Sequence, residues 1–253
     1  MDAQTRQLHQ YLEQAQCIPD VILLKQSTTS TNDDIRTLAA QGISTALVCS
    51  ETQTQGRGQR ERQWVSPQGN IYFSTLLNTT TALDGRLALE VALNLIHMPA
   101  LQDLQLYIKW PNDLYSLQGK WGGILVEPLS THQAIVGVGI NLKSLPELQQ
   151  LDQKTTSLED LGLQNTTRLG LIAQMYTAIQ QAGQWFNHGS FNLAQRFNHV
   201  AMFKDQKIEF EHLQGTVTGT LLGIQNDGAV VIETEQGISP FYQGRLRLSS
   251  EQE

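Results

Sequence analysis

Cysteine is scarce. The 253-residue chain has two, Cys17 and Cys49, which excludes a disulfide framework and a four-cysteine zinc site. Cys49 lies in the apolar run Ala46-Leu47-Val48-Cys49 and reads as a buried thiol. Long apolar stretches are missing as well. None approaches the roughly 18 residues that a membrane-spanning helix needs, and Met1 to Thr5 lacks the basic-then-apolar layout of a secretory signal. The expected location is the cytoplasm, with no membrane partner. Charge is sparse at 16% of residues, which excludes charge-driven disorder. Basic residues are the minority, 17 Lys and Arg against 24 Asp and Glu, for a net charge of −7. That balance excludes broad coating of nucleic acid or of an anionic bilayer, so any anion site must be local. The hydrophobic fraction, 40%, suffices for a sizeable core in one medium domain plus a small one.

Hydrophobic spacing predicts a short surface helix over 2–16, a strand at Val21-Ile22-Leu23-Leu24 and a helix opening at Ser30-Thr31-Asn32-Asp33-Asp34. Ile35, Leu38 and Ala39 continue that helix, and Gly42 can stop it. Strands are expected at 45–51, 71–77, 106–110, 123–127 and 134–142, with a helix over about 85–97. Residues 143–166 read as irregular, followed by helices near 167–186 and 191–199. After about 203 the pattern changes to five short strands, 208–211, 216–222, 229–233, 238–242 and 245–248. Asn226-Asp227-Gly228 and Glu235-Gln236-Gly237 supply turns between them. This spacing predicts a small barrel, with a domain boundary near 201–204.

Two loops carry chemistry. Gly56 to Trp64 places Arg57, Arg60 and Arg62 within six residues of an acidic protein, with Gly56 and Gly58 allowing close backbone approach. Arginine forks suit carboxylate and phosphate oxygens, although a solvated turn would carry the same residues. The second loop runs from Lys109-Trp110-Pro111-Asn112-Asp113 to Lys120-Trp121-Gly122-Gly123. A lysine tethered to a strand suits a fixed catalytic charge; it also suits an edge strand guarded against pairing. Ser30 to Asn32 fit either a helix cap or a ligand contact.

The full order of segments is Ser30-Thr31-Asn32, Gln53-Thr54-Gln55-Gly56-Arg57-Gly58, Trp64-Val65-Ser66-Pro67, Lys109-Trp110-Pro111-Asn112-Asp113-Leu114, Lys120-Trp121-Gly122-Gly123-Ile124-Leu125-Val126-Glu127 and Val138-Gly139-Ile140-Asn141. In this order they resemble the biotin–protein ligases, the biotin–[acetyl-CoA-carboxylase] ligases, over about 27–142. The strands at 204–249 are similar, with weaker motifs, to that family's C-terminal domain. The resemblance implies an α+β fold, a mixed β-sheet catalytic domain with packed helices related to class II aminoacyl-tRNA synthetases and lipoate ligases. A small SH3-like β-barrel should follow, dividing the chain into 1–203 and 204–253. With about 20 residues before its first strand, the chain looks like the ligase-only type, without the DNA-binding domain of two-function members.

The implied reaction has two steps. The carboxylate of biotin attacks the α-phosphate of ATP to give biotinyl-5′-AMP and pyrophosphate, with Mg²⁺ neutralising phosphates. A lysine of a carrier protein, implied to be the biotin carboxyl carrier of acetyl-CoA carboxylase, then takes the biotinyl group. By the resemblance, Lys120, Arg57 and Asp113 are catalytic, Asp113 positioning or deprotonating the acceptor amine. Ser30, Thr31, Asn32, Gln53, Arg57, Gly58, Gln59, Lys120, Gly137 and Gly139 face biotin. Arg57, Arg60, Arg62, Trp64, Lys109, Asn112, Lys120 and Asn141 face ATP or the adenylate; Trp64 fits a core position equally well. Metal ligands are not indicated. Family members are monomers or homodimers paired through the catalytic sheet. The loop departs from the family pattern, with Gln59 where an arginine that helps retain the adenylate is usual, and Glu61 where glycine is usual. A lipoate or octanoate ligase, a non-catalytic ligand sensor and a binding module built on the barrel are the competing readings.

Overall fold

The computed structural model describes residues 2–149 and 153–249. Helix α1 (Ala3–Gln14) precedes β1 (Val21–Thr28), α2 (Thr31–Ala40), β2 (Ala46–Gln53), β3 (Ile71–Asn78) and α3 (Arg86–Ile96). Then come β4 (Tyr107–Lys109), β5 (Asp113–Ser116), β6 (Gly119–Ser130), β7 (Gln133–Ile140), the short α4 (Pro146–Gln149), α5 (Arg168–Asn187) and α6 (Leu193–His199). The chain ends in β8 (Lys207–His212), β9 (Gly215–Ile224), β10 (Val230–Thr234), β11 (Gly237–Phe241) and β12 (Arg245–Leu248). Most elements match the expected ones within a few residues. Strand β5 was not expected, β6 is far longer than 123–127, and α4 interrupts the stretch read as irregular. Residues 150–152 of that stretch lie outside the described ones.

Seven strands form one mixed sheet in the order β1-β2-β3-β7-β6-β5-β4, with β1 and β2 parallel and the other neighbours antiparallel. Helices cover both faces, so β2 is apolar at consecutive positions. Leu47 and Cys49 join the large core with α1, α3 and α5, while Ala46 and Val48 pack with Ile35 on the α2 side. Fully burying a side chain such as Phe73 contributes roughly 1.5–3 kcal/mol. The sheet's α2 side also changes character along its strands. Tyr72 pairs with Gly139, Gly139 with Gly123 and Gly123 with Asp113 in a single row; in the next row Ser74 pairs with Gly137. Small and polar residues there leave a hollow over a sheet whose opposite side is packed by Val138, Ile140 and Ile124.

The last five strands form an antiparallel sheet in the order β11-β10-β9-β8-β12. It is fastened to the end of the first sheet. Ile108 donates its N–H to the Val200 carbonyl and accepts from Met202 N–H, both at 2.8 Å. The indole N–H of Trp110 donates to the Gly228 carbonyl at 3.0 Å, and the ring lies 5.9 Å from that of Phe210. No helix among the described residues is long and apolar enough to cross a membrane.

Candidate active site

Every residue expected at the site lines one cavity of about 280 Å³ above the glycine rows. Helix α2 supplies one end of it. Ser30 holds the N-cap position, but its hydroxyl makes no bond to the first turn; its carbonyl accepts from Asp33 and Asp34 N–H instead. The cap expected of that hydroxyl is supplied by Gln53, whose Oε1 accepts from Thr31 N–H at 2.9 Å and from Thr31 Oγ1 at 3.2 Å. Gln53 Nε2 donates in turn to Ser66 Oγ at 3.0 Å. Ser74 Oγ, reaching up from β3, lies within hydrogen-bond distance of both Thr31 Oγ1 and Asn32 Oδ1, and of the two only Asn32 Oδ1 must accept. Asn32 Nδ2 donates to Glu127 Oε2 at 2.8 Å. Gly137 must be glycine, because a Cβ there would overlap Asn32 Oδ1.

The Gly56–Trp64 loop folds back on itself. Gly58 N–H donates to the Arg62 carbonyl at 2.7 Å and Trp64 N–H to the Gly56 carbonyl at 2.9 Å, while Arg60 turns the chain with a φ of 57°. Trp64 then lies across the cross-strand pair Gly123 and Gly139. A Cβ on Gly139 would sit 2.5 Å from the indole Nε1, and one on Gly123 3.0 Å from the ring. The indole N–H is buried and has no partner among the described residues. Lys120 Nζ stands 5.1 Å from the ring centroid, so the two loops converge over the same pair of glycines.

Each central cation meets a carboxylate. Arg57 grips Asp33 with both Nη atoms, at 2.8 and 2.7 Å, and its Nη2 lies 3.6 Å from Glu127 Oε2. Hydrogen bonding from that guanidinium holds Asp33 below the usual carboxylate range. Lys120 Nζ is 2.6 Å from Asp113 Oδ1, and both side chains are largely buried. Burial lowers the pKa of Lys109, opposed by Asp113 and aided by Lys120, Arg247 and Arg62. Its ammonium stands 5.1 Å from the Tyr115 ring centroid. Asn112 and Asn141 spend their amides on the backbone: Asn112 Nδ2 bonds the Ile124 carbonyl at 2.6 Å, and Asn141 Nδ2 bonds the Thr156 carbonyl at 3.2 Å. They shape the wall.

Sequence reasoning missed Ser66, Ser74 and Glu127, which orient the expected residues from behind, and Gly244, Arg245 and Leu246, which bring the second sheet to the cavity. For Ser74 a signal existed: Ser74 and Thr75 are a polar pair inside the mostly apolar strand Ile71–Leu77. Nothing local marks 244–246 as cavity-lining.

Residues 23–141 match the model of the biotin/lipoate A/B protein ligase family. The whole fold is similar to a biotin protein ligase from Aquifex aeolicus, solved in complex with biotin and ATP. The TM-score is 0.76 at 28% identity, covering 91% of this chain and 100% of that one. Over residues 23–141, just under half of its length, the chain is similar to the biotin/lipoate A/B protein ligase family. Among curated relatives in this ligase family, a bifunctional ligase/repressor BirA from Bacillus spizizenii is 29% identical over 213 residues, 80% of this chain and 66% of the relative. A biotin–[acetyl-CoA-carboxylase] ligase from Mycobacterium tuberculosis is 30% identical over 171 residues, 63% of each chain. The match thus spans just under two thirds of the length of these curated ligases.

Proposed function

We propose that the protein is a biotin–[acetyl-CoA-carboxylase] ligase. It activates biotin with ATP as biotinyl-5′-AMP and passes the biotinyl group to a lysine of the biotin carboxyl carrier protein. The observation that carries this reading is the meeting of Arg57 and Lys120 from separate loops at one hollow floored by Gly123, Gly137 and Gly139. The first step brings a carboxylate onto a polyanion, so fixed positive charge must wait where they meet. Asp33 and Asp113 hold these cations in place, and the incoming carboxylate and phosphates can take over their donors. Ser30 and the spare donors and acceptors of Thr31, Asn32 and Gln53 suit a cyclic urea with two N–H groups and a carbonyl. Trp64 offers a flat face for a purine ring.

In the second step an amine of reference pKa near 10.4 must lose a proton. Asp113 already accepts from one ammonium, that of Lys120, which is the contact an incoming lysine would make. Among the described residues no cluster of three or more His, Cys, Asp or Glu forms a metal site. Mg²⁺ is assigned to the phosphates of ATP, as part of the substrate. We place the catalytic domain at 1–203 and the second domain at 204–253.

The test is direct. The protein is incubated with Mg²⁺-ATP, a carrier domain and either biotin or lipoate, and the carrier is weighed by mass spectrometry. A biotinyl mass gain without a lipoyl one is expected. A lipoyl gain alone, or ligand binding without pyrophosphate release, would replace the reading by one of its rivals.

A further inference from the structure

Glu127, toward the end of β6, touches the site from behind. Its Oε2 accepts from Asn32 Nδ2 at 2.8 Å and from Arg36 Nη2 at 3.3 Å. Arg57 Nη2 lies 3.6 Å from the same oxygen, so two guanidinium groups anchor the carboxylate. Asn32 is 4% exposed, lines the cavity and is held at its other end by Ser74 Oγ. A serine hydroxyl can donate or accept and therefore fits either orientation of an amide. A carboxylate only accepts. Between the two neighbours, Glu127 alone dictates that Nδ2 turns to β6 and Oδ1 to Ser74 and the Gly137 floor.

We propose that Glu127 is a positioning residue for biotin. It sets the polarity of the Asn32 amide, and so decides whether the ligand meets a donor or an acceptor at that point of the cavity wall. The inference rests on the biotin-ligase reading above and names a residue that acts through Asn32 without touching the substrate. A flipped amide would present its lone pair where the ligand carries its own, which costs about the value of one misdirected hydrogen bond.

The test is Glu127→Gln, which keeps shape and size but offers Asn32 an oxygen or an NH₂ alike. In the adenylation assay the KM for biotin should rise about tenfold. The KM for ATP and the melting temperature should stay close to those of the parent protein. In an Asn32→Ala background the same substitution should change the KM for biotin less than twofold, because the amide it orients is gone. The inference is overturned if Glu127→Gln leaves the biotin KM within twofold. It is equally overturned if both KM values rise together with a lower melting temperature, or if the effect persists at full size in Asn32→Ala. A parent protein that does not bind biotin overturns this inference and the ligase reading together; a parent that does, with an unaffected variant, overturns the inference alone.

Discussion

Replacing Lys120 by alanine tests the electrostatic core of the site. The ammonium lies 2.6 Å from Asp113 Oδ1 and 5.1 Å from the Trp64 ring centroid, with 12% of the lysine side chain and 21% of the aspartate exposed. Truncation does two things. It removes a fixed cation from the point where two anions meet, and losing one such group costs roughly 100- to 1,000-fold in rate, about 2.7–4 kcal/mol. It also strands the Asp113 carboxylate beside the incoming phosphates. Two unit charges about 5 Å apart at an effective dielectric near 20 repel by about 3 kcal/mol. Partial exposure lowers that figure, which still leaves roughly tenfold to be regained by removing the aspartate charge. Lys120→Ala should therefore slow pyrophosphate release at least ~100-fold. Adding Asp113→Asn should recover about tenfold of the loss. The assay uses biotin and Mg²⁺-ATP without carrier, so that any role of Asp113 in the transfer step does not enter. Near-normal release from Lys120→Ala, or a double variant slower than the single one, would refute the reasoning.

Gly139→Ala would put a Cβ 2.5 Å from the Trp64 indole, about 1 Å inside normal contact, so the ring must leave its seat. Adenylation should fall on the order of 100-fold with a changed tryptophan fluorescence, and an unchanged spectrum with full activity would contradict the seat. Gln59→Arg adds a cation to the cavity-lining loop and should slow loss of biotinyl-5′-AMP from the enzyme; an equal release rate in a trapping assay would dismiss that position as an adenylate contact. Asp33 has its folded pKa depressed, chiefly by the hydrogen bond from Arg57. Its stabilising effect is thus complete above the unfolded value near 3.9 and fades as pH falls through the lower folded value. The melting-temperature gap between the parent and Asp33→Asn should be flat from pH 7 to about 5 and close in stronger acid. A gap that closes as pH rises would have the wrong sign.

Much of this arrangement was legible in the sequence, and the exceptions share a cause. Strand β2 announces itself as a short continuous apolar run, and helix α3 by apolar residues that recur at the helical period. Strand β5 did not, because Asp113 and the nearby Gly119 read as turn chemistry, although Leu114 and Tyr115 are both buried within the sheet. The glycines of β6 and β7 look like strand breakers when taken singly. Their use is visible only across the ladder, where Gly123 faces Gly139 and Trp64 lies over both. Residue types at the site could be read from the two loops. Their pairings could not: Arg57 with Asp33 spans 24 positions and Asn32 with Glu127 spans 95, and neither is encoded locally.

The bond from the Trp110 indole to the Gly228 carbonyl has an architectural consequence. Trp110 adjoins the Lys109–Asp113 turn, so the anchor that joins the two halves also braces one wall of the reaction chamber. Arg245 and Leu246 complete that wall from the far side. A polypeptide cut between α6 and β8 would keep its motifs intact and lose that part of the wall. The cavity therefore has its full lining only when β12 is docked.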